Sequence, residues 1–408
     1  MSATTKQKPL VPELRFSGFD GGWQEIKLDD CISDTVDNRG KTPPVSTEGI
    51  PMIEVNAIGN KNIDYKKITK FVTKNTYDTW FRNYLKPQDV LFSTVGATAQ
   101  CSIYDGKTTS VVAQNIVGLR FSEVDSVFGF YLLVEPSNNH KFKKIQMNGV
   151  QPSVKVSQMI HLCFAVPELP EQQKIADFIG SVDAWLDNLR GQKTALQSYK
   201  QGMMQKLFSG QVRFKDEEGR NFPELEEKKL GQTSQIVGGG TPDTTISTYW
   251  GGTISWYTPT EIKTGNPSAS LRTITTAGLN NSSAKVLPIG TILLTTRATI
   301  GDVAILEAEA ATNQGFQSLI VNEHNHNYFL YFWLQHHKNE LSKKANGSTF
   351  LEVSSKEIAK IAISLPTKQE QQKIADFLTA LDQTITTKAE EITKVEEWKK
   401  GLMQKMFV

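Results

Sequence analysis

The octapeptide EQQKIADF occupies residues 171–178 and returns unchanged at residues 370–377, 199 positions later in a chain of 408. From each copy, similarity runs without a gap to a second shared stretch, GMMQKLF at 202–208 and GLMQKMF at 401–407. Of the 38 aligned positions, 16 are identical, which chance does not supply, so the chain is a duplication with one unit in each half. Solenoid repeats run to roughly 20–50 residues, far short of this period. The repeat therefore predicts two domain-sized units, each ending in the same helical segment.

Within the first segment, apolar residues recur every seven positions: Ile175, Val182, Leu189, Leu196 and Met203. A second row carries Phe178, Trp185 and Tyr199. The second copy repeats the rows with Ile374, Leu381, Val395 and Leu402, and with Phe377 in the place of Phe178; Lys388 interrupts it. Sustained heptads make a coiled-coil stripe, and neither segment contains proline. Each should form one helix, roughly 57 Å long at 1.5 Å per residue. A stripe must be buried against something, and the matching stripe is the other copy. A globular unit separates the helices in sequence and leaves either direction open. The antiparallel one, with the two units related by a pseudo-two-fold axis, is the expected arrangement.

The rest of the chain holds short β-branched runs broken by Gly, Pro, Asn and Thr, such as DVLFST at 89–94 and TILLTT at 291–296. These read as strands. Helical pieces such as residues 328–344 make each unit mixed. The expected class is α+β. A first mixed α/β domain at 12–167 is followed by a helical spacer at 168–209. A second domain at 210–366 is followed by a spacer at 367–408. Arg15-Phe16 pairs with Arg213-Phe214, Thr42-Pro43 with Thr241-Pro242, Pro87 with Pro288, and Gln114 with Gln314. Trp23 has no counterpart; Glu226 and Glu227 lie near that point.

Composition is that of ordinary globular protein, with 38% hydrophobic and 22% charged residues. The net charge of +2 is low for a dedicated nonspecific nucleic-acid binder. Lysines do cluster, at 61, 66, 67, 70 and 74, at 141, 143 and 144, and at 338, 343 and 344. The N-terminal stretch lacks the apolar core of a signal peptide, and no run of about 18 apolar residues suggests a membrane span. Cys31, Cys101 and Cys163 all lie in the first half, so they are no shared framework, and reduced thiols in a cytoplasmic protein are expected.

Catalytic motifs fail on inspection. Gly40-Lys41-Thr42 ends like a phosphate loop, but Thr35 stands where that loop needs glycine, and Pro43 and Pro44 follow. Gly238-Gly239-Gly240, at the matching place, reads as turn chemistry. His324, His326, His336 and His337 have no counterpart in the first half and no supporting metal motif. No nucleophile elbow or dinucleotide fingerprint occurs. No catalytic residue, metal or cofactor is assigned. Polar residues gather at two strand ends, Ser93 and Thr94 in the first half and Thr295, Thr296 and Arg297 in the second. Such residues suit phosphate and base-edge hydrogen bonds. With Lys41, Thr42, Lys66, Lys67 and Thr241 they form the candidate DNA-binding set.

The duplicated helix motif, with PELRFSGF at 12–19, Trp23, the prolines Pro167 and Pro366 before the helices, and the Thr241-Pro242, Tyr249-Trp250 and Trp256 segment, resembles the specificity subunit of type I restriction-modification systems. The resemblance covers almost the whole chain. It implies a subunit that reads a split target in double-stranded DNA, one half per domain. Its helices would dock methyltransferase subunits, two of them, and a restriction and translocase subunit would complete the assembly. Two reading domains on one DNA face would meet successive major grooves, about 34–36 Å apart. Two other readings stay open: a nonspecific tandem binding scaffold, and a single-chain DNA methyltransferase or nuclease. The first would select no split sequence from random duplexes. The second would turn over a methyl donor or cleave DNA unaided.

Overall fold

The computed structural model describes residues 10–38, 42–262, 269–297, 299–343 and 352–408. It contains two compact units, Met1–Leu189 with Glu391–Val408, and Arg190–Glu390. The first is discontinuous in sequence, and the end of the chain completes it.

In the first unit a four-stranded antiparallel sheet runs in the order Ile32–Asp37, Ile116–Phe121, Val90–Ser93, Cys101–Ile103. Every residue of Val90–Ser93 is buried, so this strand is covered on both faces and shows no polar alternation. A smaller sheet pairs Ile50–Ile53 antiparallel with Phe71–Val72 and parallel with Val111–Val112. A two-stranded ribbon sets Gln24–Lys27 against Cys163–Val166, with Gln24 opposite Val166. The helix Ser126–Val134 begins at Asp125, whose carboxylate accepts from the Val127 and Phe128 amides.

The second unit repeats this plan strand for strand. Its sheets run Ser234–Gly238, Gln317–Val321, Ile292–Leu294, Val303–Ile305, and Arg272–Ile274, Trp250–Tyr257, Ala311–Thr312. Its ribbon pairs Glu226–Lys229 with Ala362–Leu365. Glu226 and Glu227 thus open the ribbon, and Leu225 holds the position of Trp23. One pairing read from sequence shifts by a residue. The turn before Val90–Ser93 has Gln88 at φ 73°, and the matching turn has Gly290 at φ 80°. Their amides bond the Tyr104 and Leu306 carbonyls alike, so Pro288 matches Lys86 rather than Pro87.

The long helices are Leu169–Phe208 and Lys368–Met406, of 40 and 39 residues. Within each unit, segments of both lie side by side and antiparallel. In the first unit Val182, Leu186 and Leu189 pack with Ile392 and Val395. Ile175 and Ile179 instead enter the domain core, together with Met403, Met406 and Phe407. Phe407 stacks on Phe128 at 5.4 Å and meets Trp23 edge-on at 6.2 Å. In the second unit Met204 and Leu207 join Ile374 and Leu378 in the core, and Phe208 meets Phe329 at 5.7 Å. Phe178, Leu196, Met203, Phe377, Leu381 and Leu402 are half-buried flanks. The repeated Gly202 and Gly401 face open space, and nothing in the structure accounts for them.

The duplicated EQQ has a structural cause. Arg15 grips both oxygens of the buried Glu171 at 2.8 Å each, and Arg213 grips Glu370 in the same way, at 3.2 and 2.5 Å. Gln172 donates to the Pro167 carbonyl and accepts from the Asp125 amide, both at 2.8 Å. Gln371 does the same with Pro366 and His326, at 2.9 and 2.8 Å. Each motif therefore ties the helix start to its own domain, through groups that burial forces to find partners.

Candidate nucleic-acid interface

The strand ends that the sequence singled out are built alike in both units. Val90–Ser93 runs into a tight loop pinned from inside. The Ser93 hydroxyl donates to the Ala97 carbonyl at 2.5 Å and accepts from the Gln100 amide at 2.9 Å. Thr295 does the same with the Thr299 carbonyl and the Asp302 amide. Ser93 and Thr295 are fully buried, and Thr94 and Thr296 nearly so. This corrects their expected role. Both faces are covered at these strand ends, so Ser93 and Thr295 are enclosed, and they shape the loop rather than reach a ligand. The next residues tie the loop to its neighbours, as the Thr94 and Thr296 amides bond the Asn115 and Gly315 carbonyls at 2.8 Å.

Arg297 is exposed and pairs with Glu352 at 2.8 Å. Lys66 and Lys67 sit on a short 3-10 turn at the surface, where Lys67 lies 3.5 Å from Asp64. Lys41 lies outside the described residues, as do Gly40 and Lys344. Of the second lysine cluster, Lys141 is spent inside the fold. It donates to the Cys163 carbonyl at 3.0 Å and lies over the Phe164 ring, and burial pulls its pKa below the ordinary lysine value.

Thr42 and Thr241 are brought to the rigid turns that follow the strands Val111–Val112 and Ala311–Thr312. The Thr42 hydroxyl donates to the Gln114 amide oxygen at 3.3 Å, and Thr241 donates to Gln314 in the same way. In the second unit the glycine run makes this approach possible. A Cβ on Gly239 would stand 2.0 Å from the Asn313 carbonyl oxygen, and one on Gly240 would stand 2.2 Å from the Ser283 hydroxyl. None of the three glycines has a positive φ, so close backbone approach, not turn chemistry, explains Gly239 and Gly240, while a Cβ on Gly238 would have room.

In the first unit Thr42, Pro43, Gln114, Asn115, Gln151 and Lys70 are among the residues lining an open cleft of about 450 Å³. Lys70 is paired there with Glu54 at 2.6 Å. In the second unit Arg272 lies 3.5 Å from the Trp250 ring centre and 5.7 Å from that of Trp256. The Trp256 indole donates to the Gly240 carbonyl at 2.9 Å. Exposed glutamines, and an arginine on an aromatic face, suit base edges and phosphates. The sequence reading passed over Gln114, Gln314, Lys70 and Arg272 as site residues; the signals were that the two glutamines pair across the repeat and that Lys70 belongs to a lysine cluster.

Cys31, Cys101 and Cys163 are free thiols. Burial pushes the Cys31 thiol up to about 12, and Cys101 further, so neither is a reactive thiolate. Among the described residues no helix is long and apolar enough to cross a membrane.

Comparison with known proteins agrees with this architecture. The family model described as the type I restriction modification DNA specificity domain matches twice, over residues 21–198 and 223–397. A Methanocaldococcus jannaschii protein named for the MjaX type I restriction enzyme specificity subunit is 27% identical over 399 residues, covering 93% of this chain and 92% of its own length. The MjaIX specificity subunit of the same organism is 33% identical over 207 residues, 49% of this chain and 48% of that protein. The crystal structure of the type I system S subunit from M. genitalium superposes with a TM-score of 0.58 at 16% identity, covering 98% of this chain and 99% of that one. Two matched specificity domains on a duplicated, helix-linked scaffold lead to one conclusion: the chain belongs to the type I restriction-modification DNA specificity family, as a non-catalytic subunit that recognises DNA within a restriction-modification assembly.

Proposed function

We propose that each unit reads one half of a split DNA target, with 12–167 and 210–366 as the reading domains. The observation that carries this is the contrast between interior and surface. Both units share every strand pairing and the same buried loop pins, yet the residues their loops present differ. One scaffold with two surfaces is what two independent readings require.

Two methyltransferase subunits dock on the paired helices, one at each unit. The support is a repeated aromatic ladder. In the first unit Phe16, Phe178 and Trp398 contact in series at 5.5 and 6.4 Å, with Trp398 47% exposed. In the second, Phe214, Phe377 and Tyr199 do so at 5.8 and 6.4 Å, with Tyr199 51% exposed. Half-exposed aromatics are enriched in interfaces. A restriction and translocase subunit then completes the complex, in the cytoplasm where the DNA lies.

The test exchanges residues 210–366 for the corresponding region of a family member with a different target. The chimera is co-expressed with its methyltransferase subunit, and the methylated sites are mapped. One half of the target should change. Change in both halves would defeat independent reading. Particle masses should count two methyltransferase subunits per chain, and Trp398→Ala and Tyr199→Ala should each weaken one docking event.

A further inference from the structure

Outside the helices, one polar side-chain pair is repeated on the surface of both units. Gln114 stands in the turn 113–116, closed by the Ile116 amide on the Ala113 carbonyl at 3.0 Å. Gln314 stands in the turn 313–316, closed by the Phe316 amide on the Asn313 carbonyl at 3.3 Å. Each turn is anchored on the side of the smaller sheet, by the Ala113 amide on Ile53 and the Asn313 amide on Tyr257, both at 3.0 Å. Each glutamine is exposed, and a threonine hydroxyl donates to its amide oxygen. An exposed glutamine normally samples several rotamers, and ordering it is unfavourable unless something uses the order. Beside Gln114, the buried amide oxygen of Asn115 has no donor among the described residues, although Asn115 lines the same cleft.

We propose that Gln114 and Gln314 are base-reading residues, each recognising an adenine in its own half of the target, with Thr42 and Thr241 as their positioning residues. The inference rests on the reading of each unit as a DNA-recognition domain. A carboxamide offers an acceptor and a donor side by side, and the major-groove edge of adenine offers the complementary N6 donor and N7 acceptor. In the structure each threonine hydroxyl donates to the oxygen end of the amide and so orients it. That oxygen keeps a second lone pair for N6, and the amide nitrogen keeps its hydrogens for N7. In this arrangement the threonine holds the carboxamide in an orientation that matches adenine and leaves both reading groups free.

The test uses the full chain assembled with its methyltransferase subunit, selecting from random duplexes. Gln114→Glu keeps an acceptor for Thr42 but removes the N7 donor. Preference for adenine at one position of one half-target should fall about tenfold or more, and cytosine, whose N4 donates, should replace it. The other half should stay as in the wild type. Gln314→Glu should do the same to the other half alone. Thr42→Val should relax the Gln114 position while leaving the remaining positions as selective as before. If Gln114→Glu folds poorly, Gln114→Ala gives the same loss of preference without the switch. Variants that select the wild-type sequence in both halves overturn this proposal alone. A wild-type complex that selects no split sequence overturns it together with the proposed function.

Discussion

Lys200 binds both carboxylate oxygens of Asp382, at 2.6 and 2.7 Å, and lies over the Phe332 ring. In the first unit the same two positions of the repeat meet with their roles exchanged between copies. Lys399 binds one oxygen of Asp183, and the second accepts the Tyr131 hydroxyl at 2.6 Å. Phe332 stands where Tyr131 does and has no hydroxyl, which leaves both Asp382 oxygens to the lysine. Tyr131→Phe should therefore convert the first joint into the second. We expect a loss of about 1.5–3 kcal/mol in denaturant unfolding, the usual worth of a hydrogen bond to a charged group. No change in midpoint would mean the hydroxyl contributes nothing.

A double-mutant cycle on Lys200 and Asp382 measures the other joint. The lysine is mostly buried but the aspartate is 39% exposed, so solvent screening limits the coupling to about 1 kcal/mol. Lys200→Met and Asp382→Asn should each destabilise the second unit, and the double variant should lose less than their sum. Strict additivity would remove the pair from the account of helix pairing.

The matched turns at Gln88 and Gly290 make a paired prediction. A left-handed conformation costs an L-residue about 1–2 kcal/mol, and glycine recovers part of this at the expense of unfolded-chain entropy. Gln88 is exposed and loses nothing else. Gln88→Gly should raise stability by up to about 1 kcal/mol, and Gly290→Ala should lower it by about 1 kcal/mol or more. The added Cβ of the latter would also stand 2.9 Å from the Asn327 amide nitrogen. Melting curves of the two variants should move in opposite directions.

Acid should weaken the second unit before carboxylates titrate. Burial lowers the pKa of His326 and of His336 below 6.5, against the raising effect of Asp376 on the first and Glu340 on the second. The unfolded chain then binds more protons than the folded one in the window beneath 6.5. The stability is fully present above that value and is lost as pH falls through the depressed folded values. Thermal midpoints taken from about pH 7.5 to about pH 5.5 should decline, and His326→Gln with His336→Gln should flatten the decline. An unchanged slope in the double variant would assign the loss to other groups.

The chain end should matter to the domain farthest from it in sequence. Phe407 is 5% exposed, between Trp23 and Phe128. Phe407→Ala should cost about 3–5 kcal/mol. Hydrogen exchange should rise first in Gln24–Lys27 and Ser126–Val134, not in the second unit's sheets. Exchange rising first in the second unit would refute this division of the core.

Much of this was legible beforehand. The heptad rows named Ile175, Val182, Leu189, Ile374 and Val395, all of them buried. The stripe could not say which helix end serves which core, because either direction satisfies the same spacing. Direction decides that Phe208 lies beside Phe329, and Phe407 beside Phe128. Ser93 and Thr295 looked like ligand-facing groups, because composition marks a polar strand end but not that both of its faces are covered. Gln114 and Gln314 were missed as site residues for the opposite reason. A single glutamine in a turn has no compositional signature, and its partner threonine lies some 72 or 73 residues away.

The aspartate and lysine of the repeat have a further consequence, for inheritance. Each copy of the helix carries both halves of the lock. Two identical copies therefore fit when they run in opposite directions, and like charges would meet if they ran parallel and in register. A genetic exchange with crossovers inside the repeated motif would replace one globular unit and leave the joint as it was. A substitution in one copy damages one lock and spares the other, so a lineage can exchange either unit without first rebuilding the frame that carries it.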